Sequence, residues 1–166
     1  MKMLILVRHA KSSWDDTTLP DRDRPLQARG ERDVAKMGQR LARRHVRPAL
    51  IMSSPAVRAL ATAKGIAKSL DYEHNAIVVN DRLYAATVDG LIAVIEDLDD
   101  TLECVMLIGH NPGFTDLAHH FSSEVSHMPT CAIAEFTFEA KTWTGLGQAK
   151  PVRTAFDSPK NSPPDR

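Results

Sequence analysis

"MLILVRHA", residues 3–10, decides how the chain is read: five apolar residues without a polar break run straight into Arg8 and His9. A short apolar run that does not alternate is what a strand needs when both of its faces are covered. It predicts an interior strand whose carboxyl end carries an arginine and a histidine. "ALIMS" (49–53), "AIVV" (76–79) and "CVMLIG" (104–109) have the same character, and they are predicted as further interior parallel strands.

Helical periodicity fills the gaps between these runs. Val34, Met37 and Leu41 form one stripe, Ala56, Leu60, Ala63, Ala67 and Leu70 a second, and Leu91, Ile92, Ile95 and Leu98 a third. Strand, helix, strand in repetition predicts an α/β three-layer sandwich, with a mostly parallel central sheet and helices on both faces. "AIAEFTFE" (132–139) alternates more and comes late, so it is expected as an antiparallel edge strand. A single domain over 1–156 is expected. From Pro151 on, prolines at 159, 163 and 164 and few apolar residues after Phe156 predict mobile chain, with 157–166 as a C-terminal tail. The sequence has no internal repeat and no interdomain linker.

Composition bounds the function. Hydrophobic content of 43% with 25% charge is that of a soluble globular protein. No apolar run approaches the roughly 20 residues of a membrane helix. The opening stretch is broken by Lys2, Arg8 and His9 and has no small-residue cleavage site after it, so a cytoplasmic protein is expected. Lys+Arg and Asp+Glu are both 21, which leaves no global basic field to gather nucleic acid. Neither nucleic acid nor membrane is expected as a partner, and a monomer is expected. Cys104 and Cys131 match no zinc spacing and receive no chemistry.

Arg8 and His9 lie at the carboxyl end of the first strand, the edge at which open α/β sheets bind ligands. "MSSPAVR" (52–58) leaves the second strand with Ser54 as a helix N-cap and Pro55 at the first helical position, so that Arg58 projects from the first turn. "LIGHNPG" (107–113) places His110 just before Asn111 and Pro112, read as a second N-cap and helix start. Helix N-termini favour anions, and an arginine fork grips two phosphate oxygens at once. Arg8, Arg58 and His110 therefore make a phosphate pocket. His9 within it is the nucleophile candidate, because neighbouring arginines keep its imidazole neutral.

These residues carry a resemblance. "LVRHA" (6–10) resembles the Arg-His-Gly signature of the histidine phosphatase superfamily, with the phosphoglycerate-mutase-like fold, and "SSPAVRALATA" (53–63) and "IGHNPG" (108–113) are similar to its second and third signatures. "DRDRPLQARG" (21–30), "DRLYAAT" (81–87) and "MPTCAIAEF" (128–136) are similar to the SixA-type phosphohistidine phosphatase branch. The resemblance runs from about residue 3 to about 156. It implies a phosphorylated His9 intermediate, phosphate held by Arg8, Arg58 and His110, no metal and no cofactor.

The departures are specific. Ala10 replaces the signature glycine, which suits a turn that needs no positive φ. Asp15 stands where many members place a phosphate-contacting asparagine, and a carboxylate there would repel phosphate. Where many members place a general acid two residues beyond a leucine, Leu83 is followed by Tyr84, Ala85 and Ala86.

The function expected is a phosphatase hydrolysing phosphohistidine or a related small phosphorylated substrate. Its partner is then a phosphorylated protein or metabolite. One alternative is a general small-molecule phosphomonoesterase with Asp16, Asp21, Asp23, Asp81 or Asp89 as acid; another is a noncatalytic module that binds phosphate or phosphoprotein. Trp14 is expected as a loop anchor or a pocket wall, and His45, His74 and His127 as surface residues. His119 and His120 point in different directions on a helix and make no ligand set. The charge run "DVAKMGQRLARRHVR" (33–47) reads as a solvated helix face.

Overall fold

A computed structural model describes residues 1–161. The chain runs β1 (Lys2–Arg8), α1 (Ala28–Arg43), β2 (Leu50–Ser53), α2 (Val57–Ser69), β3 (Val78–Val79), α3 (Val88–Glu96), β4 (Cys104–Gly109), α4 (Gly113–Phe121), β5 (Ile133–Phe138) and β6 (Arg153–Asp157). The strands form one sheet in the order β3-β2-β4-β1-β5-β6. The first four in that order are parallel, whereas β5 and β6 are antiparallel to their neighbours.

Alternation within the apolar runs separates two cores. Leu4 and Leu6 of β1, with Val105 and Leu107 of β4, pack under α3 and α4 against Leu91, Ile95, Phe114 and Leu117. Ile5 and Val7, with Met106 and Ile108, pack under α1 and α2 against Met37, Leu41, Ala63 and Ile66. Both faces of the central strands are thus dry, which is why their sequence shows no alternation. Each such aliphatic chain taken fully out of water contributes about 1.5–3 kcal/mol. No helix among the described residues is long and apolar enough to cross a membrane.

The margins of the sheet differ from expectation. Of "AIVV" only Val78 and Val79 pair, and they form an exposed edge, because β3 is the last strand on that side among the described residues. Residues 74–76 before it form a 3₁₀ turn. "AIAEFTFE" is antiparallel as expected but lies inside the sheet: β6 covers it, and its buried Glu135 is neutralised by both terminal nitrogens of Arg44 at 2.8 and 3.0 Å.

β6 comes from the segment expected to be mobile from Pro151. Its prolines flank the strand rather than interrupt it, and an outermost strand needs few apolar residues. Arg40 fastens its end, donating to Asp157 at 3.1 Å, to the Ser158 carbonyl at 3.0 Å and to the Asn161 carbonyl at 2.7 Å. Arg40 on α1 and Arg44 just beyond its end are accordingly exceptions to the solvated face expected of 33–47. Residues 162–166 of the expected tail lie outside the described residues.

The loop after β1 is seated on α1. The Lys11 carbonyl accepts from Gln27 N at 2.9 Å, and a Cβ at Gly30 would lie 2.2 Å from that same oxygen. Gly30→Ala is expected to push this loop off the helix and cost roughly 1–3 kcal/mol, read as a fall of several degrees in Tm. An unchanged Tm would show that the approach is not tight.

Candidate active site

Sheet register builds the site. Arg8 lies opposite Gly109 in the β1–β4 pair, and His9 N donates to the Gly109 carbonyl at 3.0 Å. The residues that follow, His9 and His110, are therefore neighbours, with ring centroids 5.1 Å apart. β2 pairs Ser53 with Ile108, which sets Ser54 beside His110, its hydroxyl 2.7 Å from Nε2.

The starts of the two helices are shifted from expectation. Ala56, not Ser54, is the N-cap of α2, and Pro112, not Asn111, is that of α4. Ser54 Oγ instead accepts from Ala56 N at 3.2 Å, forming a turn that precedes the helix. Asn111 Oδ1 accepts from Thr115 N at 3.1 Å from one position further out. Arg58 stays in the first turn of α2, buried. All four expected residues, Arg8, His9, Arg58 and His110, are brought together at this end of the sheet.

His9 is buried and its Nδ1 lies 2.7 Å from the Ala10 carbonyl. A carbonyl only accepts, so Nδ1 carries the proton and Nε2 presents a lone pair. Ala10 is fixed in turn: its amide donates to Thr62 Oγ1 at 3.0 Å, and that hydroxyl donates to the Arg58 carbonyl at 2.8 Å. Ala10 has negative φ, so alanine meets no penalty at the signature glycine position. The Cys131 amide closes the strand end by donating to the carbonyls of Arg8 and His9, each at 3.1 Å.

Burial first, then the charges of His110, Arg58 and Arg8, lower the His9 pKa to about 3 against the opposing bond to Ala10. Burial and Arg58 likewise lower His110 to about 4. Burial and the nearby Arg58 lower Arg8 as well. The Ser54 hydroxyl accepts from Ala56 N and donates to His110 Nε2, an assignment that uses both of its capacities and leaves the proton on Nδ1. Among the described residues, three buried side-chain nitrogens have no hydrogen-bond partner: Arg8 Nε, Arg58 Nε and His110 Nδ1. Buried donors in native proteins are almost always paired. All three belong to residues gathered at the carboxyl end of the parallel strands.

The aspartates divide clearly. Asp16 accepts from Thr18 at its own turn, Asp81 pairs with Arg22 at 3.6 Å, and Asp23 and Asp89 are exposed. Asp21 alone reaches the cluster. It accepts from Tyr84 Oη at 2.6 Å, Arg58 Nη2 at 2.9 Å and Arg24 Nη1 at 3.1 Å. The Tyr84 bond first, then those from Arg58 and Arg24, hold its carboxyl well below the usual range, as an anion tied to three donors. Asp15 is exposed, its amide bonded to Ser13 Oγ at 3.0 Å. Trp14 is exposed with Arg24 stacked 3.2 Å from its ring centre, an anchor for that arginine. His119 and His120 donate to the Val125 and Gly147 carbonyls at 3.0 and 2.7 Å. Thr62 has no role legible in the sequence, Ser54 is legible there only as a helix cap, and Tyr84 only as a non-acid after Leu83.

Residues 4–84 match the histidine phosphatase superfamily (branch 1). An uncharacterized chloroplastic protein of Arabidopsis thaliana is 34% identical over 150 residues, covering 86% of this chain and 69% of that protein. The chain belongs to the histidine phosphatase superfamily. Its fold is that of the protein histidine phosphatase SixA solved with tungstate, at 23% identity and a TM-score of 0.76 over 95% of this chain and 97% of that one. A candidate phosphohistidine phosphatase SixA from Agrobacterium tumefaciens gives 24% identity and a TM-score of 0.77 over 93% and 97%.

The lowered pKa values have a direct consequence. In the unfolded chain both histidines protonate at about pH 6.5, whereas in the folded protein they do so near 3 and 4. Their contribution to stability is complete above about pH 6.5 and is lost as the pH falls from there toward 4 and 3. Imidazole carbon NMR signals of His9 and His110 should stay at their neutral positions down to pH 5. A His9 midpoint near 6.5 would contradict the description.

Proposed function

We propose that this superfamily member is a phosphatase acting on phosphorus–nitrogen bonds, phosphohistidine above all, through a phosphorylated His9. The observation that carries this reading is the His9 Nδ1–H bond to the Ala10 carbonyl, because it aims an unprotonated Nε2 among cations. In the first step Nε2 attacks phosphorus and the bond from phosphorus to the substrate imidazole breaks. The substrate imidazole, carrying a proton from solvent on its other ring nitrogen, keeps that electron pair and departs as the neutral ring. In the second step a water oxygen attacks the same phosphorus, the bond to Nε2 breaks and returns the lone pair, and the water's proton leaves with phosphate or solvent.

Arg8, Arg58 and His110 supply the donors for the charge spread over the transferring group. Among the described residues no carboxyl group at this site is poised to give up a proton, and this supports the substrate class. An alkyl phosphate expels an alkoxide and leans on a positioned acid, which typically contributes about 10²–10⁴-fold. Imidazole leaves nearly neutral, its conjugate acid having a pKa near 6.5. A pocket of nucleophile and phosphate clamp is adequate for phosphohistidine and poor for serine phosphate. The free nucleophile favours an enzyme over a module that only binds phosphate.

The test is kcat/KM across leaving groups of graded basicity, from phosphohistidine and phosphoramidate through aryl esters to phosphoserine. A steep fall toward alkyl esters is expected, with turnover abolished in His9→Ala and lowered by orders of magnitude in Arg58→Ala. Equal rates on phosphoserine and phosphohistidine would overturn the substrate class, and near wild-type turnover by His9→Ala would overturn the nucleophile.

A further inference from the structure

We propose that Asp21 is the positioning residue that aims the Arg58 guanidinium at the phosphoryl group, a role that rests on the phosphatase reading above. Arg58 donates through Nη1 to the Asp21 carbonyl at 2.6 Å and through Nη2 to Asp21 Oδ2 at 2.9 Å. One residue thus takes a hydrogen from each terminal nitrogen. Nε–H is left as the buried donor without a protein partner. A guanidinium is planar, so fixing its two ends fixes where the third nitrogen points.

Asp21 can orient Arg58 only if it is itself held, and it is held from both sides. From its own loop, Arg24 donates to Oδ1 at 3.1 Å and to the Ser13 carbonyl at 3.1 Å, and it also bonds Ser12 Oγ. Across the site Tyr84 donates to Oδ2 at 2.6 Å. Arg22, next to Asp21, stacks 4.9 Å from the centre of the Tyr84 ring and pairs with Asp81 at 3.6 Å. The loop after β1 and the turn before α3 are joined in this way over Arg58. The carboxylate also faces donors with both oxygens, so its charge offsets Arg58 without being presented bare to phosphate.

The experiment compares Asp21→Ala, Asp21→Asn, Arg58→Ala and the double variant Asp21→Ala/Arg58→Ala. It reads kcat and KM on phosphoramidate, calorimetric Kd for inorganic phosphate, and the nitrogen NMR signal of Arg58 Nε–H. Asp21→Ala is expected to lower kcat/KM roughly 10–100-fold through misplacement of the donor, with the loss falling on kcat because the donor acts most on the charge of the transferring group. Asp21→Asn still accepts from Arg58 and should stay within about fivefold. The Arg58 Nε–H signal should broaden in Asp21→Ala and persist in Asp21→Asn.

In the Arg58→Ala background the loss of Asp21 should cost nothing further. Turnover by Asp21→Ala within twofold of the wild type, or an equal loss with Arg58 absent, would overturn the assignment. Should Asp21→Ala not fold, Asp21→Ser carries the same cycle. If the wild type fails to hydrolyse phosphoramidate, the phosphatase reading falls. The cycle in phosphate Kd and the NMR signal still decide the coupling: non-additive losses support it, and additive losses overturn it.

Discussion

Parallel pairing of β1 with β4, with Arg8 opposite Gly109, is the constraint on which the cluster of Arg8, His9, Arg58 and His110 depends. A slip of one residue would send Leu4 and Leu6 to the face of Ile5 and Val7, and each set fits a different core. Burial on both faces therefore fixes the register, and the register fixes chemistry. It sets His9 beside His110, and the β2–β4 pairing adds Ser54 from a segment 56 residues away from His110. Precision at the site is inherited from packing beneath it.

The second determinant is charge held in a dry place. Arg8, Arg58 and His110 surround a histidine that is itself buried, and burial is the largest cause of its lowered pKa, ahead of its neighbours' charges. The same surroundings that disfavour a proton on His9 favour a phosphoryl group, which brings negative charge to donors lacking partners. Asp21 supplies the counter-charge that lets two arginines stand close together while remaining tied to Tyr84 and Arg24. On the proposed reading, nucleophile and clamp are one electrostatic arrangement.

Much of this is legible in the sequence for physical reasons. Strands dry on both faces cannot alternate, so β1, β2 and β4 announce themselves, and Arg8, His9, Arg58 and His110 follow from where strands end and helices begin. β6 is silent because an outermost strand asks little of its side chains; Phe156 is its exposed aromatic residue. β3 misleads because Val78 and Val79 have strand propensity without cover. What Asp21, Ser54, Thr62 and Tyr84 do at the site is hidden for another reason: those contacts exist only across the fold, such as Asp21 with Tyr84, 63 residues apart. Sequence order therefore named Asp21 as one of five candidate acids, and only the geometry distinguishes a pinned carboxylate from a proton donor.

The central claim is that His9 Nε2, and not another atom, receives the phosphoryl group. Rapid quenching into alkali during turnover of labelled phosphoramidate, followed by peptide mapping and phosphorus NMR, tests it most directly. The account predicts one acid-labile, alkali-stable phosphoryl group on His9, bonded at Nε2. Label on His9 Nδ1, on a different residue, or on no residue while phosphate is being released would contradict it.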